Sequence, residues 1–308
     1  MFKDSFKYYK SRNPFPDLKN VIDIDSTDYT KVRPIEDFLL KYENRYDLGL
    51  RPTKDWKIYE LKCNLGLIFI QNPFTAEGQQ YWITKCLKDY PKKPNKLNLD
   101  EHKLLNDNTS WWEECFKNSD GNVSLLTKLR WTTLGYHHDW NTKHYSENSK
   151  SILPSELCNL TTFLANVLNY TGFNAEAIII NYYRMNSTLA GHTDHSEVNI
   201  EAPLFSISFG QNAIFLIGGL TQEEPATPIY LRSGDIVVMS KTSRHCYHGI
   251  PKILPTLVKP WMSNDSMQNK LHSEVDSEDW SIASNYISEA RININVRQVL
   301  KPGQIRLL

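Results

Sequence analysis

The 308-residue sequence has no surplus of charge, since 35 lysines and arginines balance 35 aspartates and glutamates. That excludes a uniformly basic nucleic-acid coat and an acidic tail protein, but not a basic face opposite an acidic one. Cysteine is scarce: Cys63, Cys86, Cys115, Cys158 and Cys246 are odd in number and form no Cys-x-x-Cys pair. This suggests neither a disulfide framework nor a thiolate zinc site, and the expected environment is reducing and intracellular. No apolar run approaches the roughly 20 residues that cross a bilayer, and the first residues lack the apolar stretch of a secretory signal. Phe2, Phe6 and Tyr9 among Lys3, Lys7, Lys10 and Arg12 read as a surface helix, with a mitochondrial presequence as the second reading. Internal repeats, low-complexity segments, Gly-x-Gly-x-x-Gly, phosphate-cradling loops and Gly-x-Ser-x-Gly are all missing, so nucleotide-driven and serine-nucleophile chemistries lose their usual anchors.

What is present is a globular composition, 40% apolar with 12% aromatics. Before about residue 175 the pattern is mostly helical, with helices expected over Thr75–Tyr90 and Pro154–Tyr170. After it, strands are expected at Ala175–Arg184, Leu204–Phe209, Ala213–Ile217, Pro228–Leu231, Asp235–Met239 and Arg291–Val299, separated by turns such as Ser233-Gly234-Asp235. Closely spaced strands with short turns argue an antiparallel sandwich or jelly-roll barrel buttressed by helices. Lys259–Ala290 reads as a polar insertion with a short helix at Trp280–Ile287.

Chemistry points to histidine. His192 and Asp194 lie two apart, so on an extended segment both face one side and can bind one ion, with one distant histidine completing the set. Two imidazoles and a carboxylate on one face of an octahedron leave three positions open, as non-haem Fe(II) oxygenases require. His195, His245 and His248 are the further histidines of the same two segments. The last strand alternates strictly, with Arg291, Asn293, Asn295 and Arg297 on one face and Ile292, Ile294 and Val296 on the other. In a barrel the polar face lines a cavity, where the arginines need anionic partners, and a small dicarboxylate cosubstrate supplies one. Asn181 and Tyr183 share a face just before His192 and can donate to carboxylate oxygens.

Asn181-x-Tyr183, His192-x-Asp194, His248 in Tyr-His-Gly and Arg291-x-Asn-x-x-x-Arg297 together resemble the AlkB family of Fe(II)/2-oxoglutarate-dependent dioxygenases, in its animal homologue-1 branch. Supporting stretches are Asn181–Leu189, Phe205–Gly219, Ser233–Ser240, Leu129–Trp140, Asn-Pro-Phe at Asn72 and Val-Ile-Asp-Ile at Val21, so the likeness covers most of the chain.

The resemblance implies an α+β fold with a double-stranded β-helix core. Residues 1–60 would form an N-terminal helical extension and 61–308 the dioxygenase domain, strand-rich over about 175–300. It implies Fe(II) on His192, Asp194 and His248, with 2-oxoglutarate gripped by Arg291, assisted by Asn181 and Tyr183, and with Asn293 and Arg297 nearby. Dioxygen is the second cosubstrate. Trp112 and Tyr136-His137-His138 match the segment lining the substrate entrance, although His138 stands where the family pattern has tyrosine.

The implied reaction is oxidative demethylation of N-methylated bases, N1-methyladenine in tRNA or N6-methyladenine in DNA, releasing formaldehyde, succinate and CO2. The alternatives are 5-methylcytosine in tRNA, a protein or histone substrate and, more remotely, a zinc hydrolase. A base inside a helix must be unpaired or flipped out to react. Lys85, Lys88, Lys92, Lys93 and Lys96, with Lys128 and Arg130, offer an approach face for phosphate. The expected protein is a monomer of the nucleus, the mitochondrion or the cytoplasm.

Overall fold

Apolar and alternating runs settle into two antiparallel sheets in the computed structural model, which describes all residues except 27–28, 36–43, 106–108, 118–122, 264–270 and 272–274. The strands are β1 (Val32–Pro34), β2 (Lys57–Leu61), β3 (Leu67–Gln71), β4 (Lys96–Leu97), β5 (Trp131–Gly135), β6 (Ala177–Arg184), β7 (Leu189–His192), β8 (Leu204–Gly210), β9 (Asn212–Ile217), β10 (Thr227–Leu231), β11 (Ile236–Met239), β12 (His248–Leu254) and β13 (Ala290–Arg297). The helices are α1 (Phe2–Lys10), α2 (Ala76–Lys88), α3 (Val123–Leu126), α4 (Ser155–Val167) and α5 (Ser277–Ile287). The large sheet has the order β1-β2-β3-β11-β8-β13-β6-β5-β4, and the small one β10-β9-β12-β7.

The alternation of β13 works as its sequence demands. Ile292, Ile294 and Val296 are fully buried in one core with Trp82, Leu160, Leu164 and Ile287 from α2, α4 and α5, each such burial contributing about 1.5–3 kcal/mol. The opposite face looks between the sheets, where a second core of Phe215, Ile217, Leu231, Val237 and Met239 closes the jelly roll. Thr75 caps α2 by accepting from the Gly78 amide at 3.0 Å, and Asp276 caps α5.

Two expectations are corrected. The first 175 residues are not mostly helical, because they supply five strands to the large sheet. Nor are residues 1–60 a helical extension: β1 and β2 pair with one another and β2 pairs with β3, so residue 60 lies inside a strand. Most of the polar insertion's first half lies outside the described residues.

α1 does not sit loosely on the surface. Phe2 and Tyr9 are buried in a small core with Ile214 and Leu216 of β9. The Phe2 ring lies so close to Gly191 that a Cβ there would come within 2.3 Å of it. Gly234, at φ +90°, makes a second close approach: a Cβ would meet the Asn72 side chain at 1.9 Å. The Asn-Pro-Phe and Ser-Gly-Asp stretches, remote in sequence, thus lock together. The Asn72 amide donates to Asp235 (3.2 Å), Gln79 to Asn72 (2.9 Å) and Ser233 to Gln79 (2.6 Å).

Candidate metal centre and its opening

His192 on β7 and His248 on β12 are register partners, which sets their rings 4.4 Å apart between centroids. Asp194, just beyond β7, brings Oδ2 to 3.6 Å from His248 Nε2. One ligand atom from each of the three lies within 4.8 Å of the others, the one such group of histidine, cysteine and acidic residues among the described residues. Nδ1 of His192 donates to the Ala190 carbonyl (2.9 Å) and Nδ1 of His248 to the Cys246 carbonyl (3.2 Å). Both imidazoles therefore keep Nε2 free as a ligand atom. Burial, then the neighbouring His192, lowers the His248 pKa to about 4, so it is neutral near pH 7. Burial alone would raise the Asp194 carboxyl, but Arg297, His248 and His192 hold it well below the usual range. Two imidazole nitrogens and one carboxylate fit a divalent iron with open positions.

His195 and His245 do not join this group. His195 turns Nδ1 to the Thr193 carbonyl (3.1 Å), and His245 lies at the surface 4.0 Å from Glu201.

Below the triad a small cavity is lined by Asn181, Tyr183, Arg291, Asn293, Asn295 and Arg297. Arg291 is 1% exposed and has no carboxylate within ion-pair distance among the described residues. It donates to the Gln211 carbonyl (3.2 Å) and Ser208 Oγ (2.6 Å), while its buried Nε has no partner. Burial lowers its pKa to about 10, still cationic near neutrality. An uncompensated buried guanidinium with an orphan N–H is what a carboxylate ligand would satisfy. Tyr183, pushed up to about 12 by burial, keeps its phenolic proton. Asn293 donates to Ser206 Oγ (2.9 Å) and Asn295 to Asn293 (2.9 Å).

The family model described as the 2OG-Fe(II) oxygenase superfamily matches residues 66–297. A mouse relative, "Nucleic acid dioxygenase ALKBH1", is 38% identical over 98% of this chain and 85% of its own length. The chain belongs to the AlkB family of the 2OG-Fe(II) oxygenases. It is thus an enzyme of the AlkB homologue-1 type that uses Fe(II), 2-oxoglutarate and dioxygen, and the zinc-hydrolase reading falls. Two further AlkB relatives are similar to it. "tRNA demethylase abh1" of Schizosaccharomyces pombe is 31% identical over 97% of this chain and 95% of its own. "DNA N(6)-methyladenine demethylase ALKBH1A" of Arabidopsis thaliana is 33% identical over 76% and 75%. Among solved structures, "The structure of OsALKBH1" matches with a TM-score of 0.51 at 16% identity, covering 76% of this chain and 96% of that one, which supports the jelly-roll fold.

Above the triad lies an opening of about 450 Å³ whose wall carries His138, Trp140, Lys143, Tyr145 and His195. His138 reaches Ser196 Oγ at 3.0 Å and stacks edge-on to Trp140 at 4.6 Å. The other residues matched to the entrance sit elsewhere. Trp112 is 2% exposed and packed on Phe116 at 4.8 Å, within the helical core. Tyr136 is buried, its hydroxyl on Glu147 (2.6 Å). His137, bonded to Thr133 Oγ1 (2.8 Å), lines a neighbouring hollow instead.

Sequence reasoning also missed what holds Asp194. Arg297 donates to its Oδ1 (3.1 Å) and reaches Glu197 (3.2 Å). Arg244 donates to the Asp194 carbonyl (2.9 Å), the Ala202 carbonyl (3.2 Å) and Glu197 (2.8 Å). Tyr145 donates to Glu197 at 3.2 Å. The one available signal was Glu197, three residues after Asp194.

The lysine face is mostly neutralised. Lys85 and Lys92 pair with Asp89 (3.1 and 3.3 Å), Lys93 with Asp100 (2.8 Å) and Lys88 with Asp279. Lys96 instead bonds Ser149 (2.8 Å).

Proposed function

We propose that this enzyme demethylates N-methylated bases in nucleic acids, with N1-methyladenine in tRNA and N6-methyladenine in DNA as its substrates. His192, Asp194 and His248 hold the iron in this reading. Arg291 takes the far carboxylate of 2-oxoglutarate, with Asn181 and Tyr183 lining the same cavity. With iron and 2-oxoglutarate bound there, dioxygen would be the oxidant, one oxygen atom going to hydroxylate the substrate methyl group and the other into succinate as 2-oxoglutarate loses CO2. The hydroxymethylated nitrogen then loses formaldehyde and leaves the free base.

The observation that carries the reading is the aromatic wall of the opening, His138, Trp140 and Tyr145, set directly above the triad and flanked by the cation of Lys143. Flat rings beside a cation suit an extruded base and its phosphate. The relatives named as nucleic acid dioxygenase, tRNA demethylase and DNA demethylase support it. The chain's own contribution is to orient Asp194 through Arg297 and to keep His248 neutral.

Purified protein incubated with Fe(II), 2-oxoglutarate and methylated tRNA or single-stranded DNA should release formaldehyde and succinate in step. Turnover that survives in Asp194→Ala would exclude the triad. Turnover on methylated peptides but on no nucleic acid would exclude the substrate class.

A further inference from the structure

Tyr145 belongs to two structures at once. Its ring is part of the wall of the opening and meets His138 edge-on, 5.4 Å between centroids at 77°. Its hydroxyl donates to Glu197 Oε1 at 3.2 Å, inside the buried cluster of acids and arginines. Tyr145 is itself buried, and burial raises its pKa far above neutrality, so the phenol always has its proton to donate. His138 makes a second tie, with Nε2 3.0 Å from Ser196 Oγ. Two touching rings of the wall thus grip two consecutive residues, Ser196 and Glu197, of the loop that carries Asp194.

Glu197 Oε1 also lies 3.2 Å from Arg297 Nε, so one oxygen takes both the phenol and the guanidinium. Arg297 in turn holds Asp194 by Oδ1 at 3.1 Å, which leaves Oδ2 toward His248 at 3.6 Å. Where the guanidinium sits therefore sets which way the Asp194 carboxylate turns, and where Glu197 sits sets the guanidinium. Charge-assisted bonds of this kind impose direction as well as strength. Tyr145 acts on Asp194 through Glu197 and Arg297.

We propose that Tyr145 is a positioning residue that couples base binding to metal binding. A base in the opening fixes the Tyr145 ring, the hydroxyl keeps its place on Glu197, and Arg297 then holds Asp194 in the orientation that takes the ion. The proposal rests on the nucleic-acid reading above. Ordering the wall and the loop is a cost that the first ligand meets and the second is spared, so each tightens the other. Linkage makes the two effects equal.

The test measures binding on the full-length protein, with Mn(II), a divalent ion of the same first-row series, in place of iron. The second ligand is a single-stranded oligonucleotide carrying one N-methyladenine. Calorimetry should show Mn(II) bound between about 5-fold and about 150-fold more tightly once the oligonucleotide is saturating. The oligonucleotide should gain the same factor once Mn(II) is saturating. Tyr145→Phe keeps the ring and removes the hydroxyl, so it should bind both ligands with a coupling factor near unity. A hydroxyl that only stabilises the fold would instead let Tyr145→Phe weaken Mn(II) equally with and without oligonucleotide and leave the factor intact. That result would overturn the proposal, as would a native protein that binds the oligonucleotide with no change in its Mn(II) affinity; the demethylase reading would stand in both cases. Failure to bind the methylated oligonucleotide, with or without Mn(II), would overturn the nucleic-acid reading and the proposal with it.

Discussion

Arg297 lies between two acids, 3.1 Å from Asp194 and 3.2 Å from Glu197. Glu197 in turn meets Arg244 at 2.8 Å, with both side chains 2% exposed. β13 is thereby tied to the loop carrying Asp194 by a closed ring of contacts, three of them ion pairs and the fourth from Arg244 to the Asp194 carbonyl. Removing Glu197 leaves the buried Arg244 with backbone carbonyls only and Arg297 with Asp194 as its one carboxylate. Glu197→Ala is expected to cost about 3–5 kcal/mol in denaturant unfolding and to weaken Fe(II) binding as Asp194 is drawn from the histidines. Glu197→Gln, which keeps an acceptor, should cost less. An unchanged unfolding midpoint in Glu197→Ala would show that the network does not hold the loop.

Arg291 makes the contrasting case, a buried cation with an unpartnered N–H to which the proposed function gives the cosubstrate as anion. Arg291→Met removes the charge without leaving another charge unpaired, so the fold should persist. The affinity for 2-oxoglutarate should fall by at least about 30-fold, the low end of the roughly 2–5 kcal/mol that such a truncation costs. The measurement is the KM for 2-oxoglutarate at saturating iron. An unaltered KM would place the carboxylate elsewhere.

Legibility in the sequence followed the same division. The alternation of Arg291–Arg297 announced a cavity face, and the structure puts Arg291, Asn293, Asn295 and Arg297 on it. The task of Arg297 was not legible, because ion pairs 103 residues apart, such as Arg297 with Asp194, leave no local pattern. The early strands were hidden for other reasons. β3, Leu-Ile-Phe-Ile-Gln, buries Ile68 and Ile70 in one core and Leu67 and Phe69 in the other, so both faces are covered and its unbroken apolar run cannot be told from a buried helix. β5 carries two buried threonines in place of apolar residues, and β7 is Leu-Ala-Gly-His, too short to show a period. His192 was legible by spacing, but the glycine before it is explained only by Phe2.

That contact gives the third prediction. The Phe2 ring, 2% exposed, fills the space over Gly191 and Gly218 and so backs the strand that ends in His192. Phe2→Ala should destabilise the protein by about 3–5 kcal/mol and weaken iron binding, since His192 loses the packing behind it. Gly191→Ala should reproduce the second effect by pushing the ring away. Iron binding is read by titration under anaerobic conditions. A Phe2→Ala protein with native iron affinity would confine α1 to a stabilising role.

Asp235 supplies a pH dependence remote from the metal. It accepts from the Asn72 amide (3.2 Å) and the Arg232 amide (2.7 Å), and burial raises its pKa from 3.8 to about 7. Between those two values the folded state keeps a proton that the unfolded chain releases, so the carboxyl's contribution to stability is complete below about pH 4. It declines as pH rises and levels off above about pH 7. Asp235→Asn replaces the protonated carboxyl with a neutral group of the same shape and removes the titration. The stability of the native protein relative to Asp235→Asn, followed by thermal or denaturant unfolding, should therefore fall steadily from pH 5 to pH 7.5 and stay flat beyond. A difference that is constant with pH, or that grows as pH rises, would mean that Asp235 is ionised in the folded protein and that its two amide bonds outweigh its burial.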